Sequence, residues 1–218
     1  MPTYPTGPRL LKGAIVAISN DSPQPRTITL QYNPETVKRS LQAQTAGGDE
    51  GQRSQIVRFI GAPVETFDLE VSIDVIDQLE KGDNNAINNG IYPQLALLET
   101  LVYPPSAQVK QNDALLASGT LEIAPLAAPL TLFVWGPNRV LPVRLNNLSI
   151  SEELFDTTLN PIRATVSLNM RALSYSDLSQ NTRGYNLFMV YQQGKEAMAA
   201  LGISNAPNAN IGVNVNRF

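Results

Sequence analysis

The stretch "ETFDLEVSIDVID" at residues 65–77 constrains the fold most, because its side chains alternate between apolar and polar. A β-strand places successive side chains on opposite faces of a sheet, so this period of two predicts a strand with one buried face. The predicted inward side chains are Phe67, Leu69, Val71, Ile73 and Val75, and the predicted outward ones are Asp68, Glu70, Ser72 and Asp74. We therefore expect an amphipathic sheet.

Other segments have strand patterns of their own. Strands are predicted at residues 10–18, 26–32, 56–61, 119–125, 129–136, 139–155 and 161–174. The last alternates clearly, with Ile162, Ala164, Val166, Leu168 and Met170 predicted inward. Pro142 lies within the segment 139–155, and because proline cannot donate to a β-ladder, it predicts an edge position or a bulge there.

Two segments have helical patterns. Residues 91–103 combine Pro93 in a first turn with apolar side chains at Leu95, Leu98 and Val102. Residues 185–201 are predicted to line one helical face with Leu187, Met189 or Val190, Gly194, Ala197 or Met198, and Leu201. Between the strands and the first helix, the run "KGDNNAINNG" at 81–90 is predicted to be a polar loop.

About seven to nine strands and two helices predict a mainly β (α+β) fold, a β-barrel or sandwich with two peripheral helices. The 218 residues fit one large β domain or two small ones. Only 16% of the residues are charged, below the usual quarter, and Asn, Gln, Ser and Thr fill the deficit. Such a surface suits burial against neighbouring subunits, and it equally suits a polar, uncharged β protein.

Several classes of function lack the residues that they need. The chain has no cysteine and no histidine, which excludes thiol chemistry and the usual zinc ligands and general base. The net charge is −3 and no basic tract stands out, so we expect no nucleic-acid partner. No signal-peptide pattern or apolar run of roughly 20 residues is seen. We expect a soluble protein made in the cytoplasm, without direct membrane insertion.

The candidate chemical sites can each be accounted for more simply. Asp68, Glu70 and Asp74 share one strand face, as a hard-cation site or a hydrolase carboxylate pair requires, but so does a solvated outer face. The glycine-rich run 45–55 lacks a phosphate-binding motif and is predicted to be a mobile loop or hairpin arm. No serine has a motif that supplies a base. We therefore expect no enzyme activity, no cofactor and no metal.

The run "SEELFDTTLNPIRATVSLNM" at 151–170 has acids and an arginine between two strand patterns. Asp156, Thr157 and Thr158 can satisfy backbone groups in a connection, so we expect a hairpin joint here. Arg163 is predicted on the polar face, where it can pair with an acid such as Glu152 or Glu153, within one subunit or across a boundary. Trp135 ends an apolar strand and suits either the rim of the core or a ligand platform.

Three stretches in order carry a family resemblance: "LKGAIVAI" with "ITLQYNPETVKRS", then "GIYPQLALLETLVYPP", then "PLTLFVWGPNRVLPVRLNNLSISEELFDTTLNPIRATVSLNMRAL". Together they resemble the N-terminal domain of the tube-like baseplate proteins of contractile injection systems, which are phage-tail-like particles. The resemblance covers about residues 9–175. Many relatives carry a C-terminal LysM-type domain, a pattern that does not follow residue 175 here.

The resemblance implies a non-enzymatic ring subunit assembled in the cytoplasm, with strands of adjacent subunits forming a continuous barrel around a lumen. Such homo-oligomeric rings are typically sixfold and lie between the spike hub and the inner tube, so the implied partners are copies of itself, the spike or hub protein, the inner tube protein and other baseplate proteins. The implied layout is a tube-like β domain at 1–175, a C-terminal helix at 176–203 and a tail or arm at 204–218. Candidate interface residues are Tyr32, Asn33, Pro34, Gly47, Gly48, Asp49, Trp135 and Arg163.

A carbohydrate- or peptide-binding β-sandwich module is the alternative function. Binding sites of that class usually expose aromatic side chains among acids and amides. Aromatic residues make up 6% of this chain and fall mostly on apolar faces, which favours the ring subunit.

Overall fold

A single antiparallel sheet dominates the structure, a computed structural model that describes residues 10–19, 24–46, 58–119 and 128–205. Its seven strands follow the order β2-β1-β7-β8-β9-β6-β3. The strands are β1 (Ala14–Ile18), β2 (Arg26–Thr29), β3 (Val37–Gln42), β6 (Val64–Asp74), β7 (Leu130–Val134), β8 (Val140–Phe155) and β9 (Pro161–Ala172). A separate pair joins β4 (Thr45–Ala46) to β5 (Arg58–Phe59). The expected mainly β, α+β fold is confirmed.

The sheet coils strongly and buries its concave face. On a flat sheet, β6 and β7 would lie about 14 Å apart, because β9 and β8 lie between them. Instead the rings of Phe67 on β6 and Phe133 on β7 have centroids 5.4 Å apart. At the open side, the side-chain oxygen of Gln31 accepts a hydrogen bond from the Asp74 backbone at 2.9 Å. Among the described strands no ladder closes the sheet, so β2 and β3 remain its edges.

Alternation in the two longest patterns fills the core as predicted. The side chains of Phe67, Leu69, Val71, Ile73 and Val75 are buried, and Asp68, Glu70 and Ser72 are exposed. On β9, Ala164, Val166, Leu168 and Met170 are also buried, and Ile162 is half-buried. The predicted strand at 119–125 lies outside the described residues apart from Gly119.

Five helices are described, where two were predicted. They are α1 (Ile76–Glu80), α2 (Asn84–Asn89), α3 (Tyr92–Glu99), α4 (Ser106–Ala117) and α5 (Arg183–Asn205). The prediction of a polar loop at 81–90 is wrong. The Asp83 carboxylate caps α2 by accepting hydrogen bonds from the backbone N–H groups of Asn85 and Ala86, at 2.8 and 3.1 Å. The sequence of α4 has no clear apolar stripe, and none of its residues is buried.

The predicted helix at 91–103 is confirmed over α3, which buries Leu95 and Leu98. Val102 follows the end of the helix and is exposed, so the predicted stripe stops one turn early. No helix in the described parts of the chain is long and apolar enough to cross a membrane.

Pro142 lies in a central strand, so its predicted edge position is wrong. β8 lies between β7 and β9 in the sheet order. The Pro142 carbonyl accepts a hydrogen bond from the Leu173 backbone at 2.9 Å, just beyond the end of β9. The N–H and C=O groups of one strand residue point towards the same neighbouring strand. The N–H that proline lacks would therefore point towards the end of β9, and its absence costs no ladder hydrogen bond with β7. The bulge in β8 occurs between Leu145 and Asn147 instead.

The buried face of α5 also differs from the prediction. Phe188 and Tyr191 are buried, whereas Val190, Met198 and Leu201 are exposed. The predicted stripe was built from aliphatic residues, and the aromatic residues turn out to face the sheet. Phe188 meets the rings of Tyr175 and Tyr191 edge-on, with centroids 6.0 and 6.3 Å apart.

Candidate assembly surface

Four strands, β3-β6-β9-β8, form a layer with an unpaired edge on each side. Within the described chain, β3 has a strand neighbour only at β6. On the other side, β7 pairs with β8 only from Val140 to Val143, so no strand among the described residues lies beyond residues 144–155 of β8. Unpaired N–H and C=O groups along such edges are a template for pairing with another chain. We call these two segments, 37–42 and 144–155, the β3 edge and the β8 edge.

The two edges are compatible in strand direction. Each neighbouring pair in the layer is antiparallel, so β3 and β9 run one way while β6 and β8 run the other. The β8 edge of one copy placed beside the β3 edge of a second copy, in the same orientation, therefore makes another antiparallel pair. The alternation of directions then continues unbroken from copy to copy.

One face of the layer is polar from edge to edge. The polar side chains in register across it are Lys38 and Ser40 on β3, Asp68, Glu70 and Ser72 on β6, Thr165, Ser167 and Asn169 on β9, and Asn147, Ser149 and Ser151 on β8. Side-chain amides link the strands: Asn146 donates to Asn169 at 3.0 Å, and Asn169 donates to Asp68 at 2.5 Å. The charged members of this set are Lys38, which lies opposite Asp68 in the ladder, and Glu70.

The other face is apolar at both edges. Leu148 and Ile150 on β8 lie opposite the buried Leu168 and Val166, yet both are only half-buried. On β3, Leu41 lies opposite the buried Glu65 and is 47% exposed. On the core side, the β3 edge thus presents Leu41 with the charged Arg39, and the β8 edge presents Leu148 and Ile150 followed by Glu152.

The connection after the β8 edge is a tight, hydrogen-bonded joint, as the sequence predicts. The Asp156 carboxylate accepts from the backbone N–H groups of Thr158 and Asn160 at 2.7 and 2.8 Å, and from both of their side chains. The hydrogen bond from the Thr158 hydroxyl, with those from Asn160, lowers the pKa of Asp156 to about 2. The Asn160 side chain also donates to the Asn88 carbonyl at 3.1 Å, which ties the joint to α2.

These features fit a protein that assembles through its sheet, and the sequence profile of the "contractile injection system tube protein" family matches residues 9–181. The chain belongs to this family. The resemblance inferred from the sequence is thereby confirmed, and the protein is a tube-like structural component of a contractile injection system.

Two solved structures have a weaker likeness to this tube-family chain. One is the tail of an empty GTA particle, computed with helical refinement and C6 symmetry, at 10% identity and a TM-score of 0.29. The other is the virion of a native gene transfer agent particle, at 10% identity and a TM-score of 0.27. Each alignment covers 73% of this chain and 90% of the other chain. No curated protein sequence matches the tube-family chain.

The predicted interface residues of the tube-family chain occupy different places. Asn33 is engaged within the chain, since its side chain accepts from the Gly13 backbone at 2.9 Å and donates to the Leu11 carbonyl at 2.8 Å. Pro34 beside it is half-buried. Trp135 packs on Phe133 with centroids 5.9 Å apart, and Gly13 is needed beneath it because a Cβ there would lie 2.6 Å from the indole.

Tyr32 and Arg163 both have Asp74 as a neighbour, Tyr32 through its side chain and Arg163 through the strand register. Arg163 lies opposite Asp74 on β6 and Glu153 on β8. The exposed Tyr32 is hydrogen-bonded to Asp74, whose negative charge raises the pKa of the phenol. The remaining predicted residues, Gly47, Gly48 and Asp49, lie outside the described residues.

A buried carboxylate that the sequence prediction missed attaches the C-terminal helix to the sheet. Glu65 is 2% exposed; it accepts from the Tyr191 hydroxyl at 2.9 Å and the Lys195 ammonium at 2.8 Å. Arg39 on the β3 edge approaches it at 3.6 Å. Burial, together with the charge of Glu65, raises the pKa of Tyr191, so the phenol stays a donor. One feature of the sequence could have predicted its burial. Glu65 lies two residues before the inward-facing Phe67, so the strand alternation places both side chains on the same face.

The carboxylates of β6 do not converge. Within the described ranges, no three Asp, Glu, His or Cys side chains are grouped closely enough to hold a metal ion. The Asp68 carboxylate accepts a hydrogen bond from the Asn169 side chain on the polar face, and the Asp74 backbone donates one to the Gln31 side chain.

Proposed function

We propose that this protein is a ring subunit in which the β8 edge of each copy pairs with the β3 edge of the next. In the particle, the ring would join the spike or hub protein to the inner tube and template tube assembly. The ring itself would have no catalytic role and no cofactor. The observation that carries the proposal is the presence of two compatible unpaired edges on opposite sides of one four-stranded layer.

A contact between two different edges of the same chain is heterologous, and such a contact generates a ring when the rotation closes. Every copy then uses both of its edges, which removes the aggregation hazard of two long unpaired strands. The strong coiling of the sheet supports a curved path from copy to copy. A sixfold ring, which the family resemblance implies, is the form that we propose.

The polar face suits the lumen of the proposed ring. Its amides, hydroxyls and interspersed charges would remain hydrated along a channel, whereas Leu148, Ile150 and Leu41 would be covered by pairing. The joined sheet would then bury apolar side chains on its outer layer, next to Val102 and Tyr103, which are exposed in the single chain.

Cysteine cross-linking tests the pairing directly, because the natural chain contains no cysteine. Ser149→Cys on β8 and Ser40→Cys on β3 place one thiol on the polar face of each edge. We expect a mixture of the two single variants to form covalent dimers with a short bismaleimide. Thr27→Cys on β2 replaces Ser40→Cys in the control, and equal cross-linking in the control, or none in the test pair, would contradict the proposal.

A further inference from the structure

The second half of α5 extends beyond the core that its first half helps to bury. Tyr191 is the last buried residue of the helix, and the residues after Lys195 are exposed wherever their side chains are described. Residues 196–205, which we call the α5 extension, add about 15 Å of helix at about 1.5 Å per residue. Met198 and Leu201 on this extension are 52% and 55% exposed. Large apolar side chains on a projecting helix make it a candidate docking element.

The helix runs across the strands and points towards the β3 edge. At its start, Arg183 lies beside Leu145 of β8, on a groove that both residues line. Further along, the Lys195 ammonium reaches the Glu65 carboxylate on β6 at 2.8 Å. Among the described strands, only β3 lies beyond β6 in that direction. The α5 extension is about three strand widths long, since strands lie about 4.8 Å apart. It therefore passes over the β3 edge, towards the copy that pairs there in the proposed ring.

The groove beside β8 lies at the matching height. Its volume is about 800 Å³, and its apolar lining includes Leu101, Val102, Leu130, Val143 and Leu145. The ladder registers place Thr66 of β6, Arg171 of β9 and Arg144 of β8 in one row. Since Thr66 follows Glu65 in the chain, the groove is level with the point where α5 contacts β6. Copies related by a ring rotation share one height, so the α5 extension of one copy faces the groove of the next.

The charges of the two surfaces are complementary. The described lining of the groove includes Arg144 and Arg183 and no carboxylate. The C-terminal end of a helix carries a partial negative charge, and the last turn of α5 has no basic residue to offset it. Arg183 begins α5, where a cation is unfavourable for its own helix. The C-terminal end of a neighbouring α5 in this groove supplies Arg183 with a negative partner.

We propose that the α5 extension of each copy docks, through Met198 and Leu201, in the groove of the next copy around the ring. This inference rests on the proposed ring and adds a second contact to it, a helix that crosses each subunit boundary on the core side of the sheet. The α5 helices then follow one another head to tail. Docking removes the two apolar side chains from water, together with Val102, which is 47% exposed in the single chain.

Cysteine cross-linking of the full chain tests this contact. We expect a mixture of Leu201→Cys and Val102→Cys proteins to form covalent dimers with a short bismaleimide. Ile87 on α2 is 50% exposed, so Ile87→Cys replaces Val102→Cys in a control of similar exposure. Equal cross-linking in the control, or dimers formed by Leu201→Cys protein alone, would overturn docking in the groove.

Assembly measurements separate the contact from folding. The double variant Met198→Ser, Leu201→Ser should raise the concentration needed for half assembly by about tenfold or more. Its urea midpoint as a dissociated chain should not change, because both side chains are exposed. Val190 is 65% exposed on the same helix before the α5 extension, and Val190→Ser should assemble normally. Normal assembly of the double variant would contradict the docked helix.

Arg183→Gln tests the charge at the groove. The substitution removes a cation from the start of its own helix, so it should not destabilise the dissociated chain. It should nevertheless weaken assembly, because the groove loses a positive partner for the neighbouring helix end. Assembly that is unchanged or stronger in the Gln variant would count against the head-to-tail arrangement.

The lateral Ser149–Ser40 cross-link, read in parallel, separates this contact from the ring. Its presence without the Leu201–Val102 cross-link would overturn the helix contact and leave the ring standing. Its absence together with a retained Leu201–Val102 cross-link would overturn the pairing of the two edges and support the helix contact. The absence of both would contradict both proposals. A Leu201→Cys helix that cross-links only to the hub or inner tube protein would overturn docking on a second copy.

Discussion

The Tyr191 hydroxyl donates a 2.9 Å hydrogen bond to the Glu65 carboxylate, across 126 residues of sequence. This bond joins α5 to β6 at a carboxylate that is almost fully buried. Tyr191→Phe removes the donor and leaves one carboxylate oxygen with only the longer approach of Arg39. We expect the free energy of unfolding to fall by about 1–3 kcal/mol, the cost of an unsatisfied buried acceptor.

Urea unfolding followed by circular dichroism measures that loss. Tyr185→Phe on the same helix is the matched control and should change the free energy of unfolding by less than about 0.5 kcal/mol. Equal effects of the two substitutions would show that the Tyr191 hydroxyl does not stabilise the docked helix.

Gly90 connects α2 to α3 in a conformation that other residues avoid, with φ 57° and ψ −137°. A Cβ at this position would lie 2.2 Å from the Pro161 carbonyl oxygen. We expect Gly90→Ala to destabilise the fold by about 3 kcal/mol or more, since the clash adds to the backbone strain. Gly82 has a similar φ of 69° with nothing within 4 Å, so Gly82→Ala should cost only about 1 kcal/mol in the same unfolding measurement.

The Asp156 joint is expected to weaken in acid. Its folded pKa of about 2 lies below the ordinary value of 3.8, so the carboxylate contributes stability above pH 4 that is lost as the pH falls towards 2. Carbon NMR of the carboxyl group through this range measures the pKa directly. A measured value near 3.8 would contradict the hydrogen-bonded joint, and Asp156→Asn should remove the local pH dependence.

Arg163 lies between Asp74 and Glu153 on neighbouring strands. Arg163→Ala removes the cation that lies in register between these two acids, so we expect weaker ring assembly and a loss of stability below about 1 kcal/mol, as for exposed charges. Arg163→Lys keeps the charge and should restore most of the assembly measured by light scattering. Full assembly of the Ala variant would show that this charge is dispensable.

The long strands were predictable because alternation sustained over many residues matches the period of a half-buried strand and not that of a helix. Every second residue from Phe67 to Val75 and from Ala164 to Met170 faces the core for that reason. The short helix α2 was missed because a polar six-residue helix depends on its cap at Asp83, and the Ile91 backbone that follows it is held by the Pro161 carbonyl; no periodicity reveals either contact.

The assembly surface was predictable only in part. The position of Arg163 on the polar face follows from the alternation of β9, and the hydrogen-bonded joint at Asp156 follows from its turn residues. The Glu65–Tyr191 contact and the free part of β8 depend on which distant strands and helices become neighbours. The exposure of Leu41 and Ile150 at the two edges likewise becomes visible only when β7 is seen to stop at Val143.

Backbone hydrogen exchange compared between assembled and dissociated protein tests the central claim most directly. If the β8 edge pairs with the β3 edge of the next copy, amides in residues 144–155 and 37–42 gain protection together on assembly. Residues 26–29 of β2, an edge outside the proposed contact, should exchange alike in both states. Protection that appears on β2 instead, or on neither β8 nor β3, would contradict the proposed ring.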